Sequence, residues 1–315
     1  MEVTEEVIVT ARKRVESRRD VPLSIQTYSG DELEQDRIDN VEDLVGRTPG
    51  LSLSSNLLSP GSDFLNVVIR GIGAQSAGAP AVGTYVDGAF VPSLSFDISF
   101  LDVEQVEVLK GPQGTLFGRN TQGGALNIVT RRPDEELRGR VAVTYDEFET
   151  VDVRGSLSGP IADNLFASFA ANVQGTDGFL VNPVVADAEG ARGHSRSVPA
   201  NDHSSEALRG AIRFRPSDRL DATISADHWN RRGLDGHPGV PRGSESYVVR
   251  SDFQIHGEQE NLGVTLNLDY DLGPLQLTAT TAWRDVSKSL PFDFDGSPER
   301  GPNFQDIQSE QQILS

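Results

Sequence analysis

Apolar positions recur along this chain with two different rhythms. Between Leu101 and Arg132 an alternating run, Leu101, Val103, Val106 and Val108, gives way to a stretch carrying Gly111, Gly114, Gly118, Gly123 and Gly124. A second apolar run, Leu126 to Thr130, follows. This spacing predicts strand, glycine-rich turns and strand, with glycine supplying positive φ or close backbone approach. Upstream, Pro22 to Gln26 predicts a strand, and Ser29-Gly30-Asp31-Glu32 has the spacing of a capping box before Leu33 and Ile38. Asn40 is placed to cap a second short helix with Val41, Leu44 and Val45 on one face, ended by Thr48-Pro49-Gly50. Asn66 to Ile69 predicts a strand running into Gly71 and Gly73. Val82 to Val86 and Ala89 to Val91 flank Asp87-Gly88, a strong hairpin signal because both central residues of that turn take positive φ.

After Pro133 the rhythm changes to period two. Val141, Val143 and Tyr145 alternate with Arg140, Thr144 and Asp146, and Leu262 to Tyr270 alternates with Thr265, Asn267, Asp269 and Asp271. The pattern predicts about eight strands, near 138–146, 150–158, 164–175, 206–215, 219–230, 260–271, 274–288 and 305–315. Ser158-Gly159-Pro160, Arg215 to Asp218 and Asp271 to Pro274 read as tight turns, and 176–205, 231–259 and 289–304 as long polar loops. Short turns on one side and long loops on the other are the habit of outer-membrane barrels. A soluble antiparallel sandwich alternates equally well, so periodicity alone leaves both open.

Length and composition narrow the classes. The 315 residues suffice for a large β structure or more than one domain, and the absence of cysteine removes disulfides, thiolate metal sites and thiol nucleophiles. Asp and Glu outnumber Lys and Arg, 47 to 28, for a net charge of −19, which disfavours nucleic acid as a partner. No apolar run approaches the ~20 residues of a membrane-spanning helix. The opening Met1-Glu2-Val3 lacks the basic and apolar segments of an export signal, so export implies a signal trimmed from this start.

Catalytic signatures are weak. Gly111 to Gly118 superficially resembles a phosphate-cradling loop, but Arg119-Asn120 stands where that motif needs Lys and Ser or Thr. There is no G-x-S-x-G, and acidic pairs such as Asp293/Asp295 are expected by abundance in so acidic a chain. The chain reads as a non-enzyme without a cofactor. All five histidines, His194, His203, His228, His237 and His256, fall in or beside the predicted long loops. Together with Arg192, Arg196, Arg231, Arg232, Arg242 and Tyr247 they could bind an anionic ligand, or merely face water and lipopolysaccharide. Their spacing points to no dedicated metal site.

The ordered set Val21-Pro22-Leu23-Ser24-Ile25-Gln26, Asn40 to Leu51, Ile69-Arg70-Gly71, Tyr85-Val86-Asp87-Gly88 and the glycine-rich segment 101–132 resembles the plug domain of TonB-dependent outer-membrane receptors. The resemblance covers residues 5–133. It implies an α+β plug followed by antiparallel transmembrane barrel strands, about eight of the 22 that close a plugged barrel. Residues 1–20 would be an extension carrying the TonB box, 21–133 the plug, and 134–315 the N-terminal part of the barrel. The chain would then be an N-terminal fragment or one half of a split receptor, because open sheet edges in hydrocarbon leave backbone groups unpaired.

The same resemblance implies that Glu6, Val7, Ile8, Val9, Thr10 and Ala11 add as a strand to TonB. It implies that Arg70 and Arg119 seat the plug on acidic partners in the barrel wall or within the plug, with Glu104 and Glu107 as nearby candidates. Arg192, His194, Arg231, Arg232, His237 and Tyr247 become tentative contacts for a ligand such as a ferric chelate or oligosaccharide. The expected setting is the outer membrane of a Gram-negative bacterium, with lipid and lipopolysaccharide around the barrel and active uptake as the function. The alternative is a soluble β-sandwich adhesin or glycan-binding protein.

Overall fold

The structure, a computed structural model, describes residues 8–9, 16–17, 19, 21–54, 66–73, 80–92, 100–146, 149–178, 180–183, 198–199, 202–233, 248, 257–293 and 304–315. In chain order the first elements are β1 (Ile8–Val9), β2 (Glu16–Ser17), β3 (Ser24–Ser29), α1 (Gly30–Gln35), α2 (Val41–Val45), β4 (Leu51–Ser54) and β5 (Asn66–Ile69). They are followed by β6 (Val82–Val86), β7 (Ala89–Val91), β8 (Val103–Lys110), α3 (Gly114–Phe117) and β9 (Gly124–Thr130). The second half is β10 (Arg138–Tyr145), β11 (Val151–Ala162), β12 (Leu165–Thr176), β13 (Val181–Asn182), β14 (Val198–Pro199) and β15 (His203–Ser217). It ends with β16 (Leu220–Arg232), β17 (Glu258–Asp271), β18 (Gln276–Asp293) and β19 (Phe304–Leu314).

The first half folds around a five-stranded sheet of order β3-β8-β9-β6-β7, antiparallel except for the β6–β9 pair. Both faces of its centre are covered. Val106, Val108, Leu126 and Ile128 pack with Leu33, Ile38, Leu44 and Ile69 on one side, and Leu109, Ala125 and Tyr85 with Phe117 and Val21 on the other. Helix α1 starts as its sequence demands: Ser29 Oγ accepts from the Glu32 N–H, and the Glu32 carboxylate accepts from the Ser29 N–H. Asn40 Oδ1 accepts from Asp43 N–H at 3.1 Å and opens α2, which buries Val41 and Leu44. That helix stops at Val45, before the expected Thr48-Pro49-Gly50, with Thr48 N–H still bonded to Leu44 O at 2.9 Å.

Asp87 and Gly88 take φ of 49° and 82°, the left-handed pair that an Asp-Gly hairpin requires. The glycine-rich segment contains a one-turn helix, α3, where only turns were expected. At Gly124 the need for glycine is steric as well as conformational, since a Cβ would lie 2.2 Å from Leu109 O.

The second half is one eight-stranded sheet in which each strand pairs antiparallel with the next, in the order β10-β11-β12-β15-β16-β17-β18-β19. The small β13–β14 pair stands apart within the β12–β15 connection. Two expected turns are displaced. Strand β11 continues through Ser158-Gly159-Pro160 to Ala162, and β15 continues through Pro216 to Ser217, leaving Asp163-Asn164 and Asp218-Arg219 as the turns. Pro160 stands at the end of the regular register, which slips between it and Ala162, the kind of irregularity at which a strand tolerates proline.

The orientation of this sheet settles the choice between barrel and sandwich. Its apolar face is exposed: Val141 is 77% accessible, Phe169 57% and Leu266 46%, with Val153, Leu157, Ile212, Ile224 and Leu262 on the same side. The buried face carries Asp152, Asn172, Arg209, Thr223, Ser225, Asn261, Thr265, Arg284 and Lys288. A soluble sandwich would bury the first set and expose the second. The strands are also uneven, from 8 residues in β10 to 15 in β15 and 18 in β18.

Candidate functional site: the interface between the small sheet and the large one

The N-terminal domain sits against the polar face of the large sheet, and ion pairs mark the contact. Arg209, on the buried face of β15, pairs with Asp87 at the tip of the β6–β7 hairpin and donates to Thr130 Oγ1 at 2.9 Å. Asp87 is fixed for this role, accepting from Thr130 N–H and Thr130 Oγ1, each at 2.8 Å. On the neighbouring strands Asp227 accepts from Arg284 at 2.8 and 3.0 Å, and its Oδ1 stands 3.7 Å from Arg209 Nη1. Strand register places Arg209 opposite Asp227, Asp227 opposite Gly263, and Gly263 opposite Arg284, so the four form one row across four strands.

Two further groups flank this row. At β10 and β11, Arg140 pairs with Glu34 of α1, while Arg154 pairs with Asp39 and with Asp152 on its own strand. These contacts cross a cavity of about 560 Å3 bounded by Leu33, Ile38, Phe100 and Asp102 on one side and Ala142 and Ser156 on the other. The segment joining the two halves is also held by the large sheet. Arg132 reaches Asp269 at 3.3 Å, Arg213 donates to Pro133 O at 3.2 Å, and Arg215 pairs with Glu135. Arg213 is itself oriented by Asp221 at 2.6 Å.

The sequence-derived anchor residues lie elsewhere. Arg70 is exposed, in left-handed backbone (φ 52°), and donates to Ser24 Oγ at 2.9 Å within its own domain. Arg119 is exposed after α3, with its charge near Tyr85, and no ion pair to the large sheet involves it among the described residues. Glu104 is exposed on β8. Glu107 is fully buried inside the small sheet, where it accepts from Gln105 Nε2 at 2.7 Å and Asn127 Nδ2 at 2.9 Å. The pairs that do bridge the two halves mostly run the other way, from arginines of the large sheet to carboxylates of the small domain. Alternation on β10, β11 and β15 could have found Arg140, Arg154 and Arg209, since each is a cation on the face opposite the apolar residues.

Of the predicted strand for TonB, Ile8 and Val9 form β1, paired with β2, and Val9 is fully buried beside Val21, Leu109 and Phe117. Glu6, Val7, Thr10 and Ala11 lie outside the described residues, as do Arg192, His194, His237 and Tyr247. Arg231 and Arg232 are on β16, but as strand neighbours they face opposite sides. Arg231 is half-buried on the polar face, and Arg232 is exposed on the outer face, donating to Glu258 at 2.9 Å. Among the described residues no group of three His, Asp or Glu side chains is placed to hold a metal ion, and no helix is long and apolar enough to cross a membrane.

Burial shapes the acid–base behaviour of the small domain. It pushes the Tyr85 phenol up to about 12, partly countered by Arg119, while the hydroxyl donates to Phe117 O at 2.6 Å. Asp102, at the cavity edge, is raised by burial, against the pull of Arg131, Arg209 and Arg138. Lys110 is lowered by burial and then by Arg70, with its ammonium bonded to Pro49 O at 2.9 Å and Gln26 Oε1 at 3.1 Å.

The profile of the TonB-dependent Receptor Plug Domain matches residues 17–125. The chain carries a TonB-dependent receptor plug domain. It is 37% identical over 186 residues to the pesticin receptor of Yersinia pestis, an alignment covering 56% of this chain and 26% of that receptor. It is 28% identical over 160 residues to the ferripyoverdine receptor of Pseudomonas aeruginosa, covering 50% and 19%. Among solved structures, the ferric yersiniabactin uptake receptor FyuA from Yersinia pestis superposes with a TM-score of 0.76 at 26% identity, over 93% of this chain and 46% of that one. The chain therefore spans about a quarter of the pesticin receptor's length and under half of FyuA's. Residues 17–125 are the plug, the large sheet is part of a transmembrane barrel wall, and the chain's place is the outer membrane of a Gram-negative bacterium.

Proposed function

We propose that this chain is the N-terminal part of a receptor that takes up a ferric siderophore across the outer membrane, driven by TonB. Residues 1–20 carry the coupling segment, 21–133 the plug and 134–315 the first part of the wall. The observation that carries the reading is the inverted wall: its apolar face is turned outward, towards lipid, and its charged face inward, where it grips the plug. Relatives named for ferripyoverdine and ferric yersiniabactin support a ferric chelate as cargo. On this reading the strand containing Val9 is stowed against the plug core and pairs with TonB only after release, when main-chain bonds give the affinity. Arg231, on the inner face of β16, is the described candidate for meeting an anionic chelate, while Arg232 faces outward.

Uptake of radioactive iron supplied as ferric yersiniabactin and as ferripyoverdine, by cells carrying the full receptor as their only importer of this type, tests the proposal. We expect uptake of at least one probe that stops when TonB is deleted or a protonophore is added. Uptake indifferent to both treatments would overturn the proposal.

A further inference from the structure

The row Arg209, Asp227, Gly263 and Arg284 provides more than the seated plug needs. Arg209 has two carboxylates within reach, Asp87 on the plug hairpin and Asp227 on the adjacent wall strand. The wall spends considerable structure on holding the second one in place. Arg284, itself only 3% exposed, gives Asp227 two hydrogen bonds of 2.8 and 3.0 Å and a third bond, of 2.9 Å, to Asn261. It reaches Asp227 across β17 through the space over Gly263, where a Cβ would come within 2.5 Å of Arg284 Nη2. Three strands thus keep one wall carboxylate beside Arg209 by contacts made within the wall alone.

When the hairpin leaves, Arg209 loses Asp87 and Thr130 in a single movement. A guanidinium stranded in the wall would oppose that movement, because removing one partner of a buried pair leaves the other charge uncompensated. We propose that Asp227 is a stand-in acceptor. As Asp87 withdraws, Arg209 closes the 3.7 Å gap and transfers to Asp227, which Arg284 holds ready. The wall keeps its charges paired in both states, so the hairpin can part and reseat without trapping an unpaired cation. Asp227 is a positioning residue here, acting on the plug only through Arg209. The inference rests on the reading that the plug moves during uptake.

A static brace makes the opposite prediction. If Asp227 merely fixes Arg209 so that it points at Asp87, deleting Asp227 loosens the hairpin; if Asp227 is the stand-in, deleting it tightens the hairpin. Hydrogen exchange across residues 82–91 of the full receptor in outer membranes separates the two. The variant is Asp227→Asn combined with Arg284→Gln, which removes the acceptor without stranding Arg284. Transfer to Asp227 predicts hairpin opening about tenfold rarer than in the wild type, the worth of one charge-assisted bond. Asp227→Glu should exchange like the wild type. Opening as frequent as the wild type, or more so, overturns the stand-in role. Should the double variant fail to assemble, Asp227→Asn alone carries the same sign. A wild-type hairpin that never exchanges, even in energised cells, would instead remove the plug movement itself and this device with it.

Discussion

The plug and the wall use the same alternation in opposite senses. In β9 of the plug, Leu126 and Ile128 turn into a dry core and Ala125 into a second one, so the strand is buried on both faces. In β17 of the wall, Leu262, Val264 and Leu266 turn outward while Asn261 and Thr265 are buried. A period of two records that a strand has two unlike faces, and says nothing of which face meets solvent, lipid or protein. What surrounds the strand decides that, and here the difference has a chemical result. The plug coheres by apolar packing, whereas its attachment to the wall is made of ion pairs and hydrogen bonds.

The contrast can be broken first at the attachment. Arg209→Ala leaves the Asp87 carboxylate without its wall partner and should cost about 3 to 5 kcal/mol of plug seating. Arg119→Ala, which removes no ion pair to the described wall strands, should leave the hold of these strands on the hairpin within about 0.5 kcal/mol of the wild type. Exchange protection of residues 82–91 in the full receptor reads both, and equal effects would erase the distinction drawn between these arginines. Within the plug core, Leu126→Ala should cost about 2 to 5 kcal/mol, seen as a lower denaturant midpoint for the plug. On the wall, Ile224→Arg should cost roughly 2 to 4 kcal/mol for assembly into lipid vesicles if its exposed side faces hydrocarbon. If that side faced water the substitution would go unnoticed.

Smaller effects sharpen the picture of the plug. Ser29→Ala removes the reciprocal cap of α1 and should lower plug stability by about 1 kcal/mol, measurable as faster exchange of the Glu32 amide. Tyr85 supplies a pH test. Burial holds its phenol at about 12, so between pH 10 and 12 the unfolded chain sheds a proton that the folded plug retains. Plug stability is unaffected by this group below pH 10 and should decline as pH rises through that window. In Tyr85→Phe the decline should flatten, although Phe117 O then lacks its hydroxyl donor.

Much of the plug was legible because its signals are local. Ser29 with Glu32, Asn40 and Asp87-Gly88 each work through neighbours within three residues, and each forms as its sequence predicts. The wall strands were legible from alternation, but two of their ends were misplaced because Gly159-Pro160 and Pro216-Ser217 carry turn chemistry inside strands. The interface was the least legible part. Asp87 reads as a turn residue, and only the register that sets it against Arg209, 122 positions away, gives it a second role. Arg70 and Arg119 drew attention by standing in glycine-rich motifs, and among the described residues neither forms an ion pair with the wall strands.

The unequal strand lengths give the mouth of this structure a slope. At roughly 3.3 Å per residue and a tilt near 40°, eight residues in β10 climb about 20 Å, while eighteen in β18 climb about 45 Å. Outward-facing Glu206, Glu258 and Glu260 continue their strands beyond the last greasy positions, Leu208 and Leu262, so that flank rises clear of the bilayer like a parapet. The described strands therefore make a low edge at β10 and a tall one from β15 to β18.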